Sequence, residues 1–261
     1  MQTWQRGVVT GASSGIGESF ARTLAAAGSD LVLVARREGK LNDLAAELRD
    51  RSGVEVEVLT ADLTEATELL RVEQRLADEA RPIDLLVNNA GGSERGGRGA
   101  FAELPRDLVE NQALLNAVAV LRLTHAAVEA MKPHGRGSVI QVSAGVAFYP
   151  VPYGATYAAS KAFVNSFSEA VNFELRGSGV HVTTVCPGFT RTDAPRRIGF
   201  SESNVPPFLW SDPEEVVQAA LAAAAKGKSL VSPSRINKVN AAIGAHFPRS
   251  MMRFATGLTK R

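Results

Sequence analysis

The chain has 261 residues, 45% of them hydrophobic and 21% charged, with a formal net charge of +2. That balance excludes a disordered polar chain, and a near-neutral charge without a basic aromatic motif excludes the electrostatic footprint of a nucleic-acid binder. A chain near 250 residues buries about three quarters of its unfolded surface, so one α/β domain over residues 1–261 is expected to be stable without disulfide or metal.

The apolar stretches fall short of the roughly 18 residues a membrane span requires, so no span is expected. The lone Cys186 and the scattered His125, His134, His181 and His246 match no zinc spacing, and no metal site is expected. The opening MQTWQRGVVTGAS lacks the pattern of a secretory signal, from which a cytoplasmic location is expected.

In chain order, apolar β-branched runs at 7–10, 31–35, 54–59, 83–88, 138–143 and 180–185, with a short one at 229–232, read as strands. Between them, Leu41 to Arg51, Leu69 to Glu79, Leu108 to Met131 and Tyr157 to Arg176 repeat apolar residues at three- and four-residue spacing, as helices do. Strands alternating with helices, and apolar on both faces, predict a doubly wound parallel sheet in a three-layer α/β/α architecture. Two loops follow strands on the ligand side of such a sheet: GGSERGGRG at 91–99 and a Pro-rich loop around Val205 to Phe208, within a long segment at about 189–212. Beyond Glu215 the chain carries no acid, and a C-terminal helical extension over about 235–261 shows an apolar stripe of Ile236, Val239, Ile243 and Phe247 among basic residues. That stripe suits core or subunit packing better than contact with a membrane surface.

The first strand runs into TGASSGIG at 10–17, which turns the chain into a helix. Gly11, Gly15 and Gly17 let the backbone approach a pyrophosphate, and the helix N-terminus favours that anion. Twenty residues on, where an acid would bond the ribose of NAD, stand Arg36 and Arg37. A guanidinium pairs with a 2′-phosphate that a carboxylate would repel, so NADP is expected over NAD, with Arg36 the first choice. Farther on, Tyr157 and Lys161 share one helical face, where a lysine cation favours the phenolate. Ser143 ends the fifth strand at the same edge of the sheet, placed to bond a substrate oxygen.

These residues, with Asp62, NNAG at 88–91, Asn116, YAASK at 157–161 and PGFTRT at 187–192, resemble the short-chain dehydrogenase/reductase family over residues 6–232. The resemblance implies a Rossmann-type fold and hydride transfer between NADP(H) and a carbonyl or alcohol. It implies that Tyr157 gives or takes the substrate proton, that Ser143 orients the substrate oxygen, and that Lys161 binds the nicotinamide ribose while lowering the tyrosine pKa. An asparagine completes the proton path to the lysine; its counterpart by spacing is Asn116, with Asn111 the other candidate. Cofactor contacts are implied for Gly11, Ser13, Ser14, Gly15, Ile16, Gly17 and Arg36, for Asp62 and Leu63 by the adenine, and for Asn89, Ala90 and Gly91 beside the adenosine. Beyond these, Tyr157 and Lys161 contact it too, and Pro187 and Gly188 precede Thr190 or Thr192, which would hold the carboxamide. A homodimer or homotetramer, joined through the helices that begin near Leu108 and Tyr157, is also implied.

The substrate is expected to be a hydrophobic ketone, aldehyde, alcohol or acyl-linked ketone, bordered by Phe148 to Pro152 and by Phe189 to Trp210. Arg95 and Arg98 suit solvent better than an anionic substrate handle. Two other readings exist. Gly11 to Gly15 also fits the GxSxG elbow of a serine hydrolase with Ser13 as nucleophile, but Ser13 follows the first strand, with no oxyanion loop placed before it. A catalytically silent NADP-binding sensor is opposed by the complete set of Asn116, Ser143, Tyr157 and Lys161.

Overall fold

Adjacent residues of each strand point into opposite layers, which is why the strands are apolar throughout. In β1 (Arg6–Thr10) Val8 and Val9 join different cores, and in β2 (Asp30–Ala35) Leu31 and Leu33 join one while Val32 and Val34 join the other. The computed structural model describes residues 4–93, 97–193 and 205–233. Within them follow β3 (Val56–Thr60), β4 (Leu85–Asn88), β5 (Gly137–Val142), β6 (Val180–Val185), β7 (Phe189–Thr190), β8 (Trp210–Ser211) and β9 (Leu230–Val231). Seven of these form one parallel sheet in the order β3-β2-β1-β4-β5-β6-β9, while β7 and β8 pair separately.

One face of the sheet is covered by α1 (Gly15–Ala26), α2 (Glu38–Ser52) and a late helix over Pro213–Ala224, which contribute Phe20, Leu24, Leu41, Leu48, Val216 and Val217. On the other face α3 (Ala66–Leu76), α5 (Ala119–Met131) and α6 (Ala155–Glu174) supply Leu69, Val72, Leu123, Met131 and Val171; α4 (Arg106–Ala113) leads into α5. Burying each of the larger side chains stabilises the fold by about 1.5–3 kcal/mol relative to leaving it in water. The doubly wound three-layer fold is therefore as expected, and the strand order reverses between β1 and β4, where ligands of such sheets bind at the carboxyl ends.

One expectation is corrected. The single helix expected over 108–131 is broken by a π-helical turn at Leu114–Val118, in which the N–H of Ala119 reaches back five residues to the Leu114 carbonyl. Within that turn the Asn116 side chain donates to the Gln112 carbonyl at 2.8 Å, a bond that competes with the helical ladder. The helical run Arg106–His134 is, by length and composition, apolar enough to cross a membrane. Here its inner side belongs to the core, with Ala119, Val120, Leu123, Ala127 and Met131 buried.

Candidate active site

The glycine turn is built against the end of β4. The Thr10 hydroxyl donates to the Val87 carbonyl and accepts from the N–H groups of Asn89 and Ala90 at 3.0 and 2.9 Å. The Asn89 side chain donates to the Thr10 carbonyl at 2.9 Å, and a Cβ on Gly17 would stand 2.3 Å from the Gly11 carbonyl oxygen. Only glycine fits at Gly17. Asn89, expected beside the adenosine, is thus spent at least partly on holding the turn. Ser14 caps α1 without a side-chain hydrogen bond, so the amide groups of the first turn keep their capacity for an anion. These features fit a dinucleotide pyrophosphate, with Gly11, Ser13, Ser14, Gly15, Ile16 and Gly17 around it. Thr192 lies against the same turn, its Cγ2 3.1 Å from where a Gly15 Cβ would be, and Thr190 is buried, donating to the Gly188 carbonyl at 3.3 Å.

The two arginines behave differently. Arg36 reaches Asp62 Oδ2 at 3.5 Å, whereas Arg37 crosses to the turn and donates to the Ser13 carbonyl and hydroxyl, both at 3.0 Å. Burial would raise the Asp62 carboxyl, but hydrogen bonds from the Thr64 N–H and hydroxyl, with Arg36 nearby, hold it below its ordinary value. Leu63 beside it is buried. Ser13 meets a cation that cannot serve as a general base, so the hydrolase reading gains no support at that position.

At the ends of β4 and β5 the sequence places four side chains in one neighbourhood. Asn116 is fully buried in the π turn; its Oδ1 accepts from the Gly92 N–H at 2.8 Å and its Nδ2 donates to the Gly92 carbonyl at 2.9 Å. Asn111, the other candidate, is exposed. A Cβ on Gly91 would lie 2.6 Å from Asn116 Oδ1 and 3.3 Å from Lys161 Nζ, so this backbone passes between the two. Lys161, one turn along α6 from Tyr157, donates to the Val142 carbonyl at 2.8 Å, and its Nζ lies 5.9 Å from the centre of the Tyr157 ring. The Ser143 hydroxyl donates to the Lys161 carbonyl at 3.2 Å.

Burial governs the proton affinities here. It pushes Tyr157 up to about 12 and Lys161 down to about 8, the latter opposed by the nearby Cys186. Burial is the cause that acts on the tyrosine, because removing a phenolate from water favours the protonated phenol. Cys186, immediately before Pro187, is buried and pushed up to about 12 by that burial, and its thiol donates to Asn165 Oδ1 at 3.5 Å. The Pro187 carbonyl accepts from the Gly145 N–H at 2.7 Å, which ties the ends of β5 and β6 together.

Phe101, Tyr153, Phe189 and Phe208 stand exposed on the loops that follow the strands, giving this edge an apolar rim. Arg98 is exposed; Arg95, the middle of the 189–212 loop and the stripe from Ile236 to Phe247 lie outside the described residues. A cleft of about 620 Å³ lies elsewhere, between α3 and α5, lined by Glu73, Arg122, His125 and His134, and holds none of the residues above. Sequence reasoning missed Thr10, Arg37's reach to Ser13, and the Gln112 amide that donates to Ser93 Oγ at 3.0 Å.

A glycine-turned parallel sheet with a tyrosine and a lysine one helical turn apart at its switch point defines a dinucleotide-dependent oxidoreductase architecture. A family model described as short chain dehydrogenase matches residues 6–201, and the chain belongs to that family. It is 33% identical over 218 residues, 82% of its length, to a very-long-chain 3-oxoacyl-CoA reductase of Anas platyrhynchos. It spans 67% of that relative, and 62% and 59% of two others of the same name. A short-chain dehydrogenase from Sphingobium yanoikuyae, solved in complex with NADPH, matches with 37% identity and a TM-score of 0.83, covering 95% of each chain. A bulky-bulky ketone specific alcohol dehydrogenase from Comamonas testosteroni matches with 32% identity and a TM-score of 0.79, covering 92% of each.

Proposed function

We propose that this chain is an NADP(H)-dependent reductase of hydrophobic ketones, including 3-oxoacyl thioesters, with Tyr157 as the proton donor. The observation that carries the reading is the meeting of Asn116 and Lys161 at the Gly91 backbone, beside Tyr157 and one strand end from the glycine turn. When bound, NADP(H) supplies the hydride. Tyr157, protonated at neutral pH and kept so by burial, gives its proton to the substrate oxygen in the reductive direction. Ser143 turns its hydroxyl from the Lys161 carbonyl to that oxygen and orients it. Lys161 and Asn116 return a proton to the tyrosine from the solvent side.

Arg36 and Arg37 stand where a 2′-phosphate would be recognised, which supports NADP over NAD, as does the NADPH complex of the Sphingobium relative. The apolar rim and the named substrates of the two ketone-reducing relatives support a hydrophobic ketone. The test is NADPH oxidation by the purified chain with long-chain 3-oxoacyl thioesters and with ketones bulky on both sides. Turnover of at least one is expected; tight NADPH binding with no oxidation across the panel would instead indicate a silent nucleotide sensor.

The reading extends to self-association through α4, α5 and α6, where Leu114, Val118, Leu121, Phe163 and Phe173 are exposed. Leu114, Val118 and Leu121 form one stripe, and Leu121→Glu is expected to shift the sedimenting species to a monomer. A parent chain that sediments as a monomer at micromolar concentration would remove this part of the reading.

A further inference from the structure

Gln112 is only 6% exposed, on a helix face where an apolar side chain would be less costly to bury. It grips two neighbours. Its backbone carbonyl accepts from Asn116 Nδ2 at 2.8 Å, and its side-chain amide donates to Ser93 Oγ at 3.0 Å. Asn116 in turn binds both the N–H and the carbonyl of Gly92. The consecutive residues Gly92 and Ser93 are thus held at three points by one stretch of α4 and the π turn, directly beyond the Gly91 backbone that passes Lys161.

We propose that Gln112 is a positioning residue: through Ser93 it fixes the Gly91–Gly92 backbone against the ammonium of Lys161, and so sets proton delivery to Tyr157 without touching substrate or cofactor. The role rests on the reductase reading above. Asn116 holds both backbone groups of Gly92, and the Ser93 bond adds a third tie at the next residue. The groups that face Lys161 Nζ are the Tyr157 ring from its own helix, the Cys186 thiol from the end of β6, the Val142 carbonyl and the Gly91 backbone. Of these, the Gly91 backbone is the one that Gln112 controls. Loosening it admits water to a lysine that burial holds near 8, and the lysine then returns toward its ordinary 10.5.

The experiment compares Gln112→Met, Ser93→Ala, the double variant and Ser93→Thr with the parent, measuring NADPH-dependent ketone reduction against pH, NADPH affinity and melting temperature. Each of the first two is expected to lower kcat about fivefold, the factor of one neutral hydrogen bond, with NADPH affinity and KM nearly unchanged. The double variant is expected to be no slower than either single variant, because both remove the same bond. The alkaline limb of the kcat profile is expected to move upward in pH, and Ser93→Thr, which keeps the hydroxyl, to restore both rate and profile. Should Gln112→Met fold poorly, the Ser93 pair on the loop carries the same test. A parent that turns over, with kcat and pH profile unmoved in Ser93→Ala, overturns the positioning role alone. A parent that reduces no ketone overturns the reductase reading itself.

Discussion

The two ends of the cofactor edge handle charge in opposite ways. Around Arg36 and Asp62 the groups are wet: the arginine side chain is 61% exposed and the pair spans 3.5 Å. Around Lys161 they are dry, for the lysine is 4% exposed and Asn116 is fully buried. An exposed ion pair is worth at most about 1 kcal/mol, so the contact between Arg36 and Asp62 adds little to stability. In the dry region burial itself decides which groups carry protons. Recognition can therefore be retuned at the first end with little disturbance to the fold, whereas at the second a change of polarity alters the chemistry directly.

The largest test of that contrast lies at the dry end. Tyr157→Phe removes the acid and almost no packing, and it is expected to lower kcat by about three orders of magnitude while NADPH binding persists. Turnover and fluorescence-detected binding check it, and near-parental turnover would remove Tyr157 from the chemistry. At the wet end, Arg36→Gln is expected to weaken NADPH about tenfold and NADH hardly at all, the loss of a charge-assisted bond. Equal weakening of both nucleotides would sink the 2′-phosphate role. The smallest effect concerns Cys186, whose value of about 12 in the fold exceeds its ordinary 9.0. The folded chain then keeps a proton that the unfolded chain releases, so this contribution to stability is full below pH 9 and is lost as pH climbs toward 12. Melting temperatures from pH 8 to 11 are expected to fall less steeply for Cys186→Ala than for the parent; parallel slopes would mean that the thiol is not held protonated.

What could be read from the sequence was what depends on neighbours along the chain. TGASSGIG announces a tight turn into a helix because its glycines act within a few residues, and YAASK places Tyr157 and Lys161 on one face because a helix turns once in about four residues. The strand runs were legible for the same reason, since two-sided burial writes itself into consecutive letters. The π turn was not: its Asn116 pairs with Gly92, a partner 24 residues away that periodicity along the helix does not show. Nor was the direction of the tyrosine shift: spacing shows that a lysine is near, but the raising by burial comes from the packing around the ring. Arg36 and Arg37 look equivalent as letters, yet one reaches Asp62 and the other Ser13.

The short pairing of β7 with β8 has a further meaning. Phe189 lies opposite Trp210 with ring centroids 5.5 Å apart, and Arg191 forms an ion pair with Asp212 at 3.0 Å. Chain leaving the site after Asp193 and chain returning at Val205 are thereby buckled to the same spot. A chain fastened at two such points tolerates changes in length between them at little cost, since doubling a loop costs only about 0.6 kcal/mol.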